Sequence, residues 1–222
     1  MNLLHADSIR KSWKQHPVLT DVFLTCQTGE VIGLLGRNGS GKSTLFRIIY
    51  GDLSSESRFV KVNQTVLNSL TATRKHLNYL PEHPFLPEAL QVGAVLRCLG
   101  REVLREIRDK DPFLRGLLPK RVRELSFGER RFVEIITVLY GKGVFALLDE
   151  PFKGLAPLIK EQVIRHIGLV RGHKGIVLTD HDAAEILAIS EKILLLSSGY
   201  LRKINIINEL IDAGYLPRDF QK

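Results

Sequence analysis

The sequence predicts an α/β protein: a mostly parallel β-sheet with helices over both faces, a flank of antiparallel strands, and a helical segment inserted between two parts of the core. Two observations carry this. Three short runs, residues 31–35, 144–148 and 176–179, are rich in apolar residues on both alternating faces. Strands read that way when helices cover both sides of a parallel sheet. Each run also ends in groups suited to chemistry: Gly36 onward, then Asp149 and Glu150, then Asp180 and His181. Ligands of open α/β sheets bind beyond the carboxyl ends of the strands, so three separate segments deliver polar groups to one rim.

The elements follow in order. Residues 8–31 alternate and turn at Thr28-Gly29, which suggests antiparallel strands flanking the sheet. A glycine-rich loop follows at 36–43, and a helix begins near Gly41. Leu45, Phe46, Ile48 and Ile49 give that helix a buried face, and Gly51 can stop it. Residues 90–125 are charged and helical in pattern: Val92, Leu96 and Leu99 share one face, as do Val103 and Ile107, while Pro112 and Pro119 punctuate the rest. A further helical pattern runs through Tyr140 and ends at Gly141. Residues 1–82 and 141–222 then form the core, with about 83–140 inserted.

At 222 residues, 44% hydrophobic and 25% charged, the chain suits one substantial domain or two small ones and excludes disordered or collagen-like readings. No run approaches the roughly 18 apolar residues of a membrane helix, and the start lacks the pattern of an export signal. Two cysteines, Cys26 and Cys98, are too few for a disulfide framework or a zinc site. A cytoplasmic, reduced setting is expected. The formal net charge of +8 fits an acidic partner (nucleotide, nucleic acid or an anionic membrane leaflet) or plain solubility, and does not choose between them.

Gly36-Arg37-Asn38-Gly39-Ser40-Gly41-Lys42-Ser43 fits the pattern G-x-x-x-x-G-K-S/T, with Thr44 following. The glycines let successive N–H groups turn inward around a phosphate, and the helix points its positive dipole end at the same anion. Lys42 supplies charge for the β- and γ-phosphates, and the Ser43 hydroxyl can ligate Mg²⁺. Asp149, at the end of an apolar strand, can hold Mg²⁺ or its water, and Glu150 can accept a proton from an attacking water. Together these residues point to a nucleoside triphosphate with Mg²⁺.

Leu125-Ser126-Phe127-Gly128-Glu129 resembles the Leu-Ser-Gly-Gly-Gln signature of the ABC ATPase superfamily, and the resemblance spreads over nearly the whole chain. Residues 28–36 resemble the family's approach to the phosphate loop, and Tyr79-Leu80-Pro81-Glu82 its glutamine-containing loop. Trp13 stands where the family places an aromatic residue that stacks on adenine, and His181 where it keeps a switch histidine. Residues 128–135, 149–154 and 179–181 look most like the ATPases of lipopolysaccharide export and branched-chain amino-acid uptake.

The resemblance implies a single ABC ATPase domain over 1–222: a P-loop NTPase core with a mostly parallel sheet, an antiparallel β subdomain and a helical subdomain. It implies ATP held by Trp13, Gly36, Arg37, Asn38, Gly39, Ser40, Gly41, Lys42, Ser43 and Thr44. Ser126, Phe127, Gly128 and Glu129 would reach that ATP from a second copy. Mg²⁺ would sit at Ser43, Glu82 and Asp149, and catalysis would fall to Glu150, His181, Lys42 and Glu82. Two such domains, expected to be identical, close head to tail and drive transmembrane permease subunits on separate chains, at the inner face of the cell membrane. A non-transport assembly or regulatory factor is the alternative. No specific nucleic acid is expected, although residues 120–123 and 130–131 are basic.

Ser126-x-x-Glu129 is also a helix capping box, and a hydroxyl can serve both roles because it accepts one bond and donates another. Three departures stand out. Glu82 replaces a neutral glutamine and adds negative charge near Glu150, where like charges raise one another's pKa; on that ground Glu82→Gln should preserve or raise activity. Phe127 replaces a glycine, either adding bulk at a dimer seam or packing on the helical insertion. Ala156 stands where related sequences carry an aspartate that links the two ATP sites, so cooperation between them is expected to be weak.

Overall fold

The computed structural model describes residues 1–180, 182–206, 208–212 and 214–217. Among these residues ten strands run in chain order: β1 (Leu3–Trp13), β2 (His16–Gln27), β3 (Val31–Leu35), β4 (Ser57–Val62), β5 (Thr65–Val66), β6 (Leu77–Leu80), β7 (Phe145–Asp149), β8 (Gly175–Thr179), β9 (Lys192–Ser197) and β10 (Tyr200–Ile204). They form a four-stranded antiparallel sheet, ordered β2-β1-β4-β5, and a six-stranded sheet, ordered β10-β9-β3-β8-β7-β6. In the larger sheet only the β9/β10 pair is antiparallel.

The three apolar runs become β3, β7 and β8, adjacent at the centre of the larger sheet. Every residue in them is buried, and side chains of a strand alternate between faces. Val31 and Leu35 of β3, Ala146 and Leu148 of β7, and Ile176 and Leu178 of β8 enter one core, which the inserted helices close. Ile32 and Leu34, Phe145 and Leu147, and Val177 enter a second core with the antiparallel sheet. Both faces are therefore apolar, as the sequence predicts.

Nine α-helices complete the fold among the described residues: α1 (Lys42–Tyr50), α2 (Leu70–Arg74), α3 (Val92–Leu96), α4 (Arg101–Lys110), α5 (Pro112–Leu117), α6 (Phe127–Leu139), α7 (Pro157–Val170), α8 (Ala183–Ile189) and α9 (Asn208–Asp212). The pattern of residues 90–125 resolves into α3, α4, α5 and two 3₁₀ turns. Asp111 caps α5 by accepting from the Leu114 N–H at 3.0 Å, with Pro112 in the first turn. Helix α6 is buried nearly all round, its polar Arg131 and Glu134 included. No described helix is long and apolar enough to cross a membrane.

Candidate active site

The loop after β3 enters α1 through Gly41, which caps the helix at φ 104° and ψ 11° without help from any side chain. Gly39 is also left-handed, at φ 79°, with open space where a β-carbon would project. Other residues reach these conformations only at a cost of about 1–2 kcal/mol. The first N–H groups of α1 are thus left for a ligand, and a helix N-terminus favours an anion. Within the loop, the buried Ser40 hydroxyl has no protein partner among the described residues.

A cavity of about 370 Å³ opens at this point, lined by Trp13, Val18, residues 38–44, Glu82, Glu150 and Lys153. Lys42 curls back on its own loop, donating from Nζ to the carbonyls of Gly36 at 2.7 Å and Arg37 at 3.3 Å. Burial lowers its pKa, and Glu150, Asp149, Asp180 and Glu82 oppose that shift in this order. Trp13 ends β1 half exposed, with the Lys11 ammonium 4.5 Å from its ring centroid. Gly36 and Arg37 do not line this cavity; Arg37 opens instead onto a separate one beside Arg202 and Tyr215.

Asp149 lies buried beneath the cavity. Burial raises its pKa, while hydrogen bonds from Ser43 and Thr179 lower it. A hydroxyl and a carboxylate standing together are oxygen donors of the type Mg²⁺ takes, so the residues present fit a metal–triphosphate pair. The Tyr79 hydroxyl donates to the other Asp149 oxygen at 3.3 Å.

Glu150 adopts the left-handed conformation at φ 47°, rare for a residue with a side chain. Two contacts hold it there. Its N–H donates to Thr179 Oγ1 at 3.0 Å, and that hydroxyl in turn donates to Asp149 Oδ1 at 3.0 Å. Arg131 Nη2 donates to the carbonyls of Asp149 at 2.6 Å and Glu150 at 3.2 Å, while its Nη1 reaches Pro81 O at 2.7 Å. Arg131 therefore joins α6, the loop after β6 and the turn after β7.

Glu82 differs from expectation. Lys153 Nζ stands between it and Glu150, 2.7 Å from Glu82 Oε1 and 2.9 Å from Glu150 Oε2. The Lys153 hydrogen bond holds the Glu82 carboxyl below its ordinary pKa, where repulsion from Glu150 was expected to raise it. An ammonium between two carboxylates reverses the sign. The ground for expecting unchanged or higher activity from Glu82→Gln goes with it.

The signature residues Ser126, Phe127, Gly128 and Glu129 do not line this cavity. They form the N-terminus of α6, where the capping box is complete: Ser126 Oγ accepts from the Glu129 N–H at 3.2 Å, and Glu129 Oε2 accepts from the Ser126 N–H at 2.7 Å. Phe127 is 56% exposed, so it is not packed into the helical insertion. A β-carbon on Gly154 would lie 3.0 Å from its ring. His181 lies outside the described residues. Three of the basic residues are internally committed: Lys120 to Glu129 at 2.9 Å, Arg130 to Glu88 at 3.1 Å, and Arg131 in the core.

Sequence reasoning missed Thr179, Lys153 and the role of Arg131. Arg131 and Glu134 form a buried pair at i,i+3 spacing, but Glu129 and Arg130 beside them give the same charged pattern, so the sequence alone does not single the pair out. Nothing in the sequence pairs residue 153 with residue 82.

Residues 19–153 match the family model described as "ABC transporter". The chain is 34% identical over 223 residues to the lipopolysaccharide export system ATP-binding protein LptB of Acidithiobacillus ferridurans, covering 95% of this chain and 92% of that protein. It is 30% identical over 232 residues to LptB of Escherichia coli strain K12, covering 98% and 96%. A solved ATP-binding subunit of an ABC transporter superposes with a TM-score of 0.83 at 25% identity, covering 96% and 94%.

Proposed function

The chain belongs to the ABC transporter family as an ATP-binding subunit and ATPase, and from that premise we propose that two copies close head to tail on ATP and drive a permease carried on separate chains. One observation carries the reading: an uncapped helix N-terminus and Lys42 face the same cavity as Glu150.

Loop amides 38–44 cradle the phosphates. Lys42 exchanges its two carbonyl acceptors for β- and γ-phosphate oxygens, and Trp13 stacks on the base. Magnesium held by Ser43 and Asp149, with Glu82 at the margin, would offset phosphate charge and align the terminal phosphate for in-line attack. Glu150 takes the proton of the attacking water, its carboxylate aimed by the turn that Thr179 and Arg131 hold. His181 would bond the γ-phosphate and orient that water.

Across the pair, Ser126 and the Gly128 N–H reach the γ-phosphate of the other copy. In the capping box Ser126 Oγ is an acceptor, which leaves its own proton to donate. Residues 1–82 and 141–222 act as the nucleotide-binding core and about 83–140 as the helical unit that receives the permease, at the inner face of the membrane.

Trp13 is the only tryptophan, so its emission reports the site directly. Titration with ATP should change that emission saturably in the native chain and not in Lys42→Ala. With Mg²⁺·ATP, Glu150→Gln should double its mass by light scattering. Absence of both responses refutes the reading. ATP-dependent pairing without co-purification of a membrane protein in detergent would favour the non-transport factor.

A further inference from the structure

We propose that Lys153 is a resident counter-cation of the nucleotide site, whose charge offsets the carboxylate at position 82 so that a triphosphate can enter. The inference rests on the reading of the cavity as an ATP site.

The geometry is specific. Phe152 is 2% exposed and anchors the turn after β7, so the next side chain projects outward to the cavity rim. There Lys153 Nζ bridges Glu82 Oε1 at 2.7 Å and Glu150 Oε2 at 2.9 Å, with Glu82 on a different segment 71 residues away. Both acids and Lys153 line the same cavity.

Charge makes the bridge consequential. Lys42 feels the carboxylates of Glu150, Asp149, Asp180 and Glu82 together. A triphosphate adds several more negative charges to this space. Arg131 is not available to help, because its guanidinium points at backbone carbonyls and Glu134. With Lys153 in place, the Glu82–Lys153 unit is neutral, as a glutamine at position 82 would be alone. Without Lys153, the extra carboxylate repels the ligand.

The test is ATP affinity in EDTA, read from Trp13 emission, so that neither metal nor turnover contributes. Lys153→Met should weaken ATP binding roughly tenfold at 50 mM salt, a size expected for one unit charge at a partly exposed site. The gap should shrink at 500 mM salt, where the screening length falls to about 4 Å. Lys153→Arg should bind nearly as the native chain does. The double variant Glu82→Gln, Lys153→Met should return to within about threefold of native. Thermal melts establish that each variant is folded.

If Lys153→Met binds as tightly as the native chain, the inference is overturned. It is overturned equally if the double variant stays as weak as Lys153→Met, because Lys153 would then be a direct phosphate ligand. Failure of the native chain to bind ATP refutes instead the reading on which the inference rests.

Discussion

Replacing Thr179 by valine tests how the Glu150 turn is held. Thr179 is fully buried and its hydroxyl does two things at once: it donates to Asp149 Oδ1 and accepts the Glu150 N–H, both at 3.0 Å. Valine keeps the shape and removes both bonds, so no cavity enters the comparison. The bond to a carboxylate contributes about 1.5–3 kcal/mol, and a buried N–H left unpaired costs about 1–3 kcal/mol. The Glu150 amide sits near the cavity, where water relieves part of the second cost, which places the expected loss at about 3 kcal/mol. Urea unfolding should show it as a lower midpoint at unchanged slope. Freed of its tether, Glu150 leaves the left-handed conformation, and kcat should fall at least tenfold. Thr179→Ser keeps the hydroxyl and should lose only about 1 kcal/mol for its buried methyl. A valine variant as stable as the serine variant, with turnover within twofold of native, refutes this account.

Two other substitutions probe positions away from the reacting atoms. Ala156 is the N-cap of α7 at φ −66° and ψ 150°, with no capping hydrogen bond, so Ala156→Asp should add about 1 kcal/mol in urea unfolding; a destabilised variant contradicts the cap geometry. Lys174 is buried, donates to the carbonyls of Gly141 and Gly143, and is pushed down to about 8 by burial. Between pH 8 and about 10.5 the unfolded chain then holds a proton the native state has shed, so stability should rise with pH relative to Lys174→Met, by up to about 3 kcal/mol. Below pH 8 the difference should be flat, and a flat difference throughout would show that Lys174 keeps its proton in the fold.

The central sheet was legible because its signal is local. Residues 31–35 are apolar on both alternating faces and too short for a buried helix, with Gly29 and Gly36 at either end, which fits a doubly covered strand. Helix α1 was legible for a similar reason, since the glycines, Lys42 and the apolar face that follows lie within sixteen residues. Strands β6, β9 and β10 were not singled out, because β6 is four residues long and partly polar while β9 and β10 form an edge hairpin. What the sequence withheld at the site is long-range. Arg131 meets Pro81 across 50 positions, Lys153 meets Glu82 across 71, and Thr179 meets Asp149 across 30. Each could be read only as a surface charge or a strand residue until the fold brought its partner alongside. The expected upward shift of the Glu82 pKa failed for the same reason: it counted the two carboxylates and lacked the ammonium between them.

Arg131 also constrains how the two ends of the site can move. It lies in the second turn of α6, five residues beyond Ser126, and grips the carbonyls of Asp149 and Glu150. Its side chain is 3% exposed and pairs with Glu134. A hydrogen bond from a charged donor contributes about 1.5–3 kcal/mol, a large fraction of a domain's total stability. Separating the first turns of α6 from the turn bearing Glu150 would therefore break those hydrogen bonds. In the head-to-tail pair proposed above, the Ser126 end of that helix would meet the nucleotide of the other copy, while Glu150 would meet its own. In that proposed pair, a displacement imposed at one nucleotide would be carried through Arg131 to the proposed proton acceptor at the other, without requiring the carboxylate that Ala156 lacks.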